Sequence, residues 1–416
     1  MLLPVLMNSP KFASRLVLAL LTPASLQISS AISFTPLQDL AGGANESYGN
    51  SISADGTTVI GRSTSASGPE ATKWNLSGTP TALGDLSGGA FDSTAIGVSG
   101  DGGVIVGVGK SADSAASRPV DDEGFIWTQA TGMMPIGDYS GSVFNSGALS
   151  VSSDGNIVTG FASSDQGRLA VRKIGSGPLL DDVNGSIGSG ILAHATDISA
   201  DGSVITGRTE GHGVTGVQPY IWTEATGRQL LGDLPGGIDY ATGNAISADG
   251  TTVVGNSSVG SGEEEAFIWT QASGMVNIGD LAGGAKAGVA YDVSGDGSIV
   301  VGQGASALGN EAFIWDSVNG MRNLKSVLEL DFGLALELQG WTLSAARGIT
   351  PDGLKIVGYG INPFGEQQGW AVDLQSSSVP DSGPNIVGVA ALLAVLVSAK
   401  RLAHATSQLA LDPHDA

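Results

Sequence analysis

The stretch Asn244-Ala245-Ile246-Ser247-Ala248-Asp249-Gly250-Thr251-Thr252-Val253-Val254-Gly255 decides how the rest of the chain is read. Asn244 to Ser247 reads as one strand, Asp249-Gly250 as a tight turn and Thr252 to Val254 as the returning strand. An Asp-Gly pair suits a two-residue type I′ hairpin, in which both central residues take positive φ. Downstream, Ala266-Phe267-Ile268-Trp269 gives a third strand with large apolar residues on both faces, and Met275 to Leu281 a fourth. A strand apolar on both faces is covered on both sides, so this four-stranded unit needs neighbours.

The neighbours are copies of itself. Ser-x-Asp-Gly recurs at Asp55, Asp101, Asp154, Asp201, Asp249 and Asp296, and Thr350-Pro351-Asp352-Gly353 is the seventh copy. Successive Asp residues are 46, 53, 47, 48, 47 and 56 positions apart. That spacing is blade-sized and too long for one coil of a β-solenoid. The sequence therefore predicts an all-β fold, a seven-bladed β-propeller with four-stranded blades over residues 32–374. Strands a, b, c and d name the units' strands in chain order. A strand d, Phe34 to Leu40, precedes any a, b or c strand, whereas the last unit, Ala345 to Leu374, has no strand d of its own. The count balances only if the N-terminal strand completes the last blade, which also removes exposed sheet edges. The insertion at 326–343 is left unassigned.

Composition agrees with short strands and many turns: Gly 64 of 416 residues, with 6% aromatic and 14% charged residues. The formal net charge of −22 disfavours nucleic acid and anionic lipid as partners and favours divalent or cationic ones. There is no cysteine, hence no disulfide framework and no thiolate chemistry.

Both ends read as processing signals. Residues 1–31 place Lys11 and Arg15 before an apolar run from Leu16 to Leu21, then small and polar residues up to Ala31, a secretory signal pattern. Residues 375–385 form a polar linker ending in Val379-Pro380-Asp381-Ser382-Gly383 and its flank. Residues 386–401 carry the 14-residue apolar run Ile386 to Ala399 followed by Lys400-Arg401, and 402–416 form a tail. A stable membrane span needs about 20 apolar residues, so this one suits transient insertion, with the basic pair holding its end in the cytoplasm.

Two resemblances rest on these residues. The motif Val379 to Gly383, the apolar run and Lys400-Arg401 resemble the VPDSG-CTERM sorting signal, related to PEP-CTERM, although that family usually stops soon after the basic pair. It implies a bacterial protein handed to an exosortase during export, ending at the cell surface, outer envelope or extracellular matrix. Membrane contact would run only through the C-terminal segment. The repeats, with Ala266 to Trp269, Ala312 to Trp315 and Gly279-Asp280-Leu281-Ala282-Gly283-Gly284, resemble the HAF-type extracellular repeat family. The third unit departs most, with Leu169-Ala170-Val171 in place of the aromatic strand. The resemblance implies an exported repeat protein and no catalytic activity.

Candidate chemistry is acidic. Glu70, Glu123, Glu265 and Glu311 each stand four residues before the strand-c Trp, with Gln218 at the same place in another unit. Strand d ends in Asp at Asp39, Asp85, Asp138, Asp182, Asp233 and Asp280. Connections b-to-c and d-to-a emerge on one face, so these carboxylates are candidates to ring one mouth of the channel and hold calcium. Equally, they serve as a solvated rim with turn-capping Asp residues. The Asp of each Asp-Gly falls short of the six to eight oxygens calcium wants, and turn chemistry explains it. Only His194 and His212 lie in the repeats, and no catalytic constellation or cofactor site emerges. The expectation is a non-enzymatic binding or scaffolding protein for an unidentified glycan or protein. The alternative is an extracellular carbohydrate-active enzyme using rim carboxylates.

Overall fold

The computed structural model describes residues 32–375 apart from 114–121, 140–143, 166, 181–182, 184–190, 212–213 and 261–262. The two processing signals, with Val379, Pro380, Asp381, Ser382, Gly383, Lys400 and Arg401, lie outside the described residues, as do Asp182 and His212. Among the described residues no helix is long and apolar enough to cross a membrane.

The architecture is all-β, made of four-stranded antiparallel sheets of the β-propeller type. Gly42–Ile52, Thr58–Ser65, Gly68–Asn75 and Pro80–Ala82 make one sheet, and Gly88–Val98, Val104–Ser111, Glu123–Thr128 and Gly132–Pro135 the next. Two larger sheets each join a pair of such units through a short parallel contact, Gly167 and Arg168 with Ile191 and Leu192, and Glu264 with Ala287. The remaining sheet takes Thr342–Ile349, Lys355–Ile361 and Gln367–Asp373 from one end of the chain and Ser33–Pro36 from the other. Ser33 pairs with Asp373 and Pro36 with Trp370. The first and last sheets also touch at their inner strands, where a Cβ added at Gly49 would lie 2.9 Å from the Gly358 carbonyl oxygen.

Strand c builds the core between sheets. Phe125, Phe267 and Phe313 are fully buried, each removal from water contributing roughly 2–3 kcal/mol. In the third unit Val171 fills the same slot opposite Gly160 that Phe267 fills opposite Gly255, so the departure in sequence keeps an apolar residue in place. The 326–343 insertion forms a helix, Leu324–Leu330, capped by the Asn323 side chain on the Ser326 N–H. Leu324, Val327 and Leu328 then join Leu334, Leu338 and Trp341 over the last sheet, where Phe34 meets Trp341 edge to face.

The turn after strand a differs from a two-residue Asp-Gly hairpin. Gly250 N–H donates to the Ser247 carbonyl and Ser247 N–H to the Thr252 carbonyl, so Ala248 and Asp249 are the central residues and the loop has four. Its chemistry is a relay: Ser247 Oγ donates to Asp249 Oδ1 (2.6 Å) and accepts the Thr252 N–H (3.0 Å), and Asp249 Oδ1 accepts the Thr251 N–H (3.0 Å). Only Gly250 needs positive φ, +73°. The same Ser/Thr-to-Asp bond occurs at Asp55, Asp101, Asp154, Asp201, Asp296 and Asp352. The repeated carboxylate is thereby spent on its own turn.

Successive turns also bond to each other through the backbone. Gly100 N–H reaches Ser153, Ser153 reaches Ala200, Ala200 reaches Ala248, Asp249 reaches Gly295 and Gly295 reaches the Pro351 carbonyl.

Candidate functional site

Strand a carries a second recurring device that sequence reading missed. Its pairing with strand b skips one residue: between Gly49 and Ser51, Ala95 and Gly97, Ala148 and Ser150, Ala195 and Asp197, Gly243 and Ala245, Ala290 and Asp292, and Ala346 and Gly348. Each is a one-residue β-bulge, which bends the strand and re-aims the extra side chain. It also explains the last Gly of the Asp-Gly-x-x-x-x-Gly spacing. A Cβ at Gly255 would lie 1.8 Å from the Thr242 carbonyl oxygen, and one at Gly61 1.9 Å from that of Tyr48. The bulge pushes the strand-a carbonyl into the space a side chain would need.

The extra residues are Asn50, Ile96, Leu149, Thr196, Asn244, Tyr291 and Arg347, and all of them line a central cavity of about 510 Å³. Two positions on, Ile52, Val98, Val151, Ile198, Ile246, Val293 and Ile349 give an apolar collar of β-branched residues. Asp197 and Asp292 also face the cavity. Asp197 accepts the Ser150 hydroxyl (2.6 Å) and the Ile246 N–H (2.8 Å). Asp292 accepts the N–H groups of Val293 and Ile349, both at 2.8 Å. Each Asp thus ties its own unit to another. Burial, then the Asp197 charge, pushes the Asp292 carboxyl up to about 7, and burial raises Asp197 as well.

Above this ring the Tyr291 hydroxyl donates to Gln303 Oε1 (3.2 Å), and the Arg347 guanidinium lies over the Tyr291 ring at 4.0 Å. Arg208 lines the same cavity. Among the described residues neither the Arg208 nor the Arg347 side chain donates a hydrogen bond or enters an ion pair. Tyr48 and Tyr359 meet edge to face with centroids 5.1 Å apart. His194 packs against Phe161 at 4.7 Å, and burial followed by the charges of Arg208 and Arg168 lowers its imidazole to about 3, leaving it neutral.

The acidic residues expected to ring a mouth are placed otherwise. None of Glu70, Glu123, Glu265, Glu311, Asp39, Asp85, Asp138, Asp233 or Asp280 lines the central cavity. The four Glu residues are buried: Glu70 Oε1 accepts the Gly84 N–H (3.1 Å), and Glu265 pairs at 3.2 Å with Lys286 on the first strand of the following unit. Within a unit the two kinds of acid do approach, since Glu70 acts electrostatically on Asp85 and Asp138 on Glu123. Burial is the main cause that raises the carboxyls of Asp39, Asp85, Asp138 and Glu123. Among the described residues no three His, Asp or Glu side chains converge as a metal site. A signal for the cavity ring existed in the sequence: five residues before each repeated Asp, a variable position follows a Gly or Ala and stands two before an Ile or Val.

No known family profile matches the chain. No curated protein is similar to it at a significant level. Solved structures with related folds include an oligogalacturonate lyase in complex with manganese (14% identity over 84% of this chain and 98% of that one, TM-score 0.49). The β-propeller domain of the Trilobed protease from Pyrococcus furiosus, described as having an open velcro topology, is similar at 11% identity over 78% and 95%, TM-score 0.47. TolB from Acinetobacter baumannii is similar at 14% identity, TM-score 0.45, over 64% of this chain, which spans only 63% of that protein.

Proposed function

We propose that the chain is an exported, non-enzymatic surface or matrix protein. Its repeats make a seven-bladed propeller, closed by Ser33–Pro36 completing the last blade, that binds or scaffolds a glycan or protein. The placement of the acids supports this reading best. Glu70 and its counterparts are buried and bonded to protein groups, whereas a glycosidase needs two carboxylates set across a substrate cleft. Export and handling by an exosortase follow from the VPDSG-type resemblance of the C-terminal segment. A second reading, an extracellular carbohydrate-active enzyme, draws its support from Asp197 and Asp292, two carboxyl groups in one cavity that feel each other's charge.

The test uses protein recovered from the cell surface, first weighed by mass spectrometry and then run on glycan and protein arrays beside a glycan-hydrolase panel. The expected outcome is a mass lacking the Ile386 to Ala399 run, array binding and no turnover. An intact C-terminus would overturn the processing step. Turnover abolished by Asp292→Asn would establish the enzyme reading instead.

A further inference from the structure

The residues at the bulges differ from unit to unit, although each follows a Gly or Ala. The positions two and three residues on are Ile or Val and then Ser or Thr in every copy. A bulge leaves one residue out of the ladder and recurs where a side chain must be re-aimed, so the same distortion repeatedly points different chemistry into one cavity. The lining is correspondingly lopsided. Ile96 and Leu149, from consecutive units, form an apolar arc, and Thr196, Asn244, Tyr291, Arg347 and Asn50 supply hydroxyl, amide and cationic groups around the rest.

Charge decides the ligand's sign. Both oxygens of Asp197 and of Asp292 already accept hydrogen bonds from protein groups, so these carboxylates have little left to offer a cation. Arg208 and Arg347 line the same cavity, and their guanidinium groups have no hydrogen-bond acceptor among the described residues, although the Arg347 charge acts on Asp292. Arg347 is held in place by its stack on Tyr291, whose hydroxyl is fixed by Gln303. A planar, five-donor group held ready in this way matches a carboxylate. The whole chain is strongly acidic, so these cations are not a general surface field but a local feature of the cavity.

We propose that the central cavity is a binding site for a small polyhydroxy carboxylate, the chemical class of a uronic acid, with Arg347 on the carboxylate. Asn50 Oδ1 and the Thr196 hydroxyl oxygen, whose donors are spent on the Ala95 and Gly243 carbonyls, accept from ligand hydroxyls, and Ile96 and Leu149 lie against the apolar face of the sugar ring. A cavity of about 510 Å³ falls within the range of small-ligand sites and accommodates one or two sugar units. The site rests on the closed-ring binding reading given above and deepens it.

The experiment is a calorimetric titration of the full chain with glucuronate, galacturonate, glucose and acetate. Saturable binding of a uronate at low millimolar concentration is expected, with glucose and acetate at least about tenfold weaker because each lacks half of the recognised chemistry. Arg347→Gln and Arg208→Gln, checked for a wild-type melt, are each expected to weaken the uronate about tenfold or more. The idea is overturned if neither uronate binds, if acetate binds as tightly as glucuronate, or if both variants bind like wild type. The wild-type comparison decides even if a variant fails to fold. Array binding of a polymer without any uronate binding would sink the cavity site and leave the scaffold reading standing.

Discussion

Small residues carry much of this fold at positions where a larger one has no room. Gly255 lies across the bulge from Asn244, and a methyl group there would drive into the Thr242 carbonyl oxygen. Gly255→Ala is therefore expected to cost about 3 kcal/mol, read as a lower denaturation midpoint, because the clash is with backbone and no side chain can rotate away. The turn Gly250 is a different case, since there the constraint is φ rather than the ladder. The sequence makes both glycines visible as a spacing, but only the register explains the second. The register also sets Trp370 apart from the other strand-c tryptophans: it pairs with Gly358, the slot that Phe267 takes opposite Gly255. A one-letter pattern cannot separate those slots, because either suits a large apolar ring.

At the level of strands, the N-terminal segment was legible from the count of strands and the acidic face was not. Seven sets of a, b and c strands against a displaced strand d lead to Phe34–Leu40, and the structure pairs the overlapping strand Ser33–Pro36 with Gln367–Asp373. Phe34 packs on Trp341 and Trp370, so removing the strand exposes those rings as well as an edge. Deletion of residues 33–40 is expected to broaden the thermal transition and lower its midpoint, and a truncated chain that melts as sharply as the full one would refute the closure. The acids at the ends of strands c and d were misplaced for a plain reason. Sequence gives the face on which a loop emerges, whereas the direction of Glu70 is set by the Gly84 N–H that it accepts. The bulged residues went unread because the bulge is a property of pairing, and strand a looks regular when read by itself.

For the whole molecule, acid response combines two opposed groups. Asp292 is raised from 3.8 to about 7, so the folded state takes up its proton first and stability rises as pH falls from about 7 toward 4. His194 is lowered from 6.5 to about 3, so the unfolded state takes up its proton first and stability falls across nearly the same window. The two slopes oppose between pH 7 and 5, and the raised carboxyls of Asp39, Asp85, Asp138, Glu123 and Asp197 add to the Asp292 side, so each group is read from its own variant. His194→Gln should become more stable on acidification and Asp292→Asn less stable, measured as denaturant midpoints across that range. Identical profiles for all three proteins would show that neither group governs the balance.

The relay of amide links among the turns has a mechanical consequence. It runs from the first turn, where the Asp55 N–H reaches the Gly100 carbonyl, to the last, where Pro351 accepts a bond and has no N–H of its own to donate. The proposed ring thus has a seam, fastened by the N-terminal strand and not by that relay. A pull on the two termini would load the seam first, so a tethered molecule should open there like a clasp, Ser33–Pro36 peeling from Gln367–Asp373 before any other sheet tears.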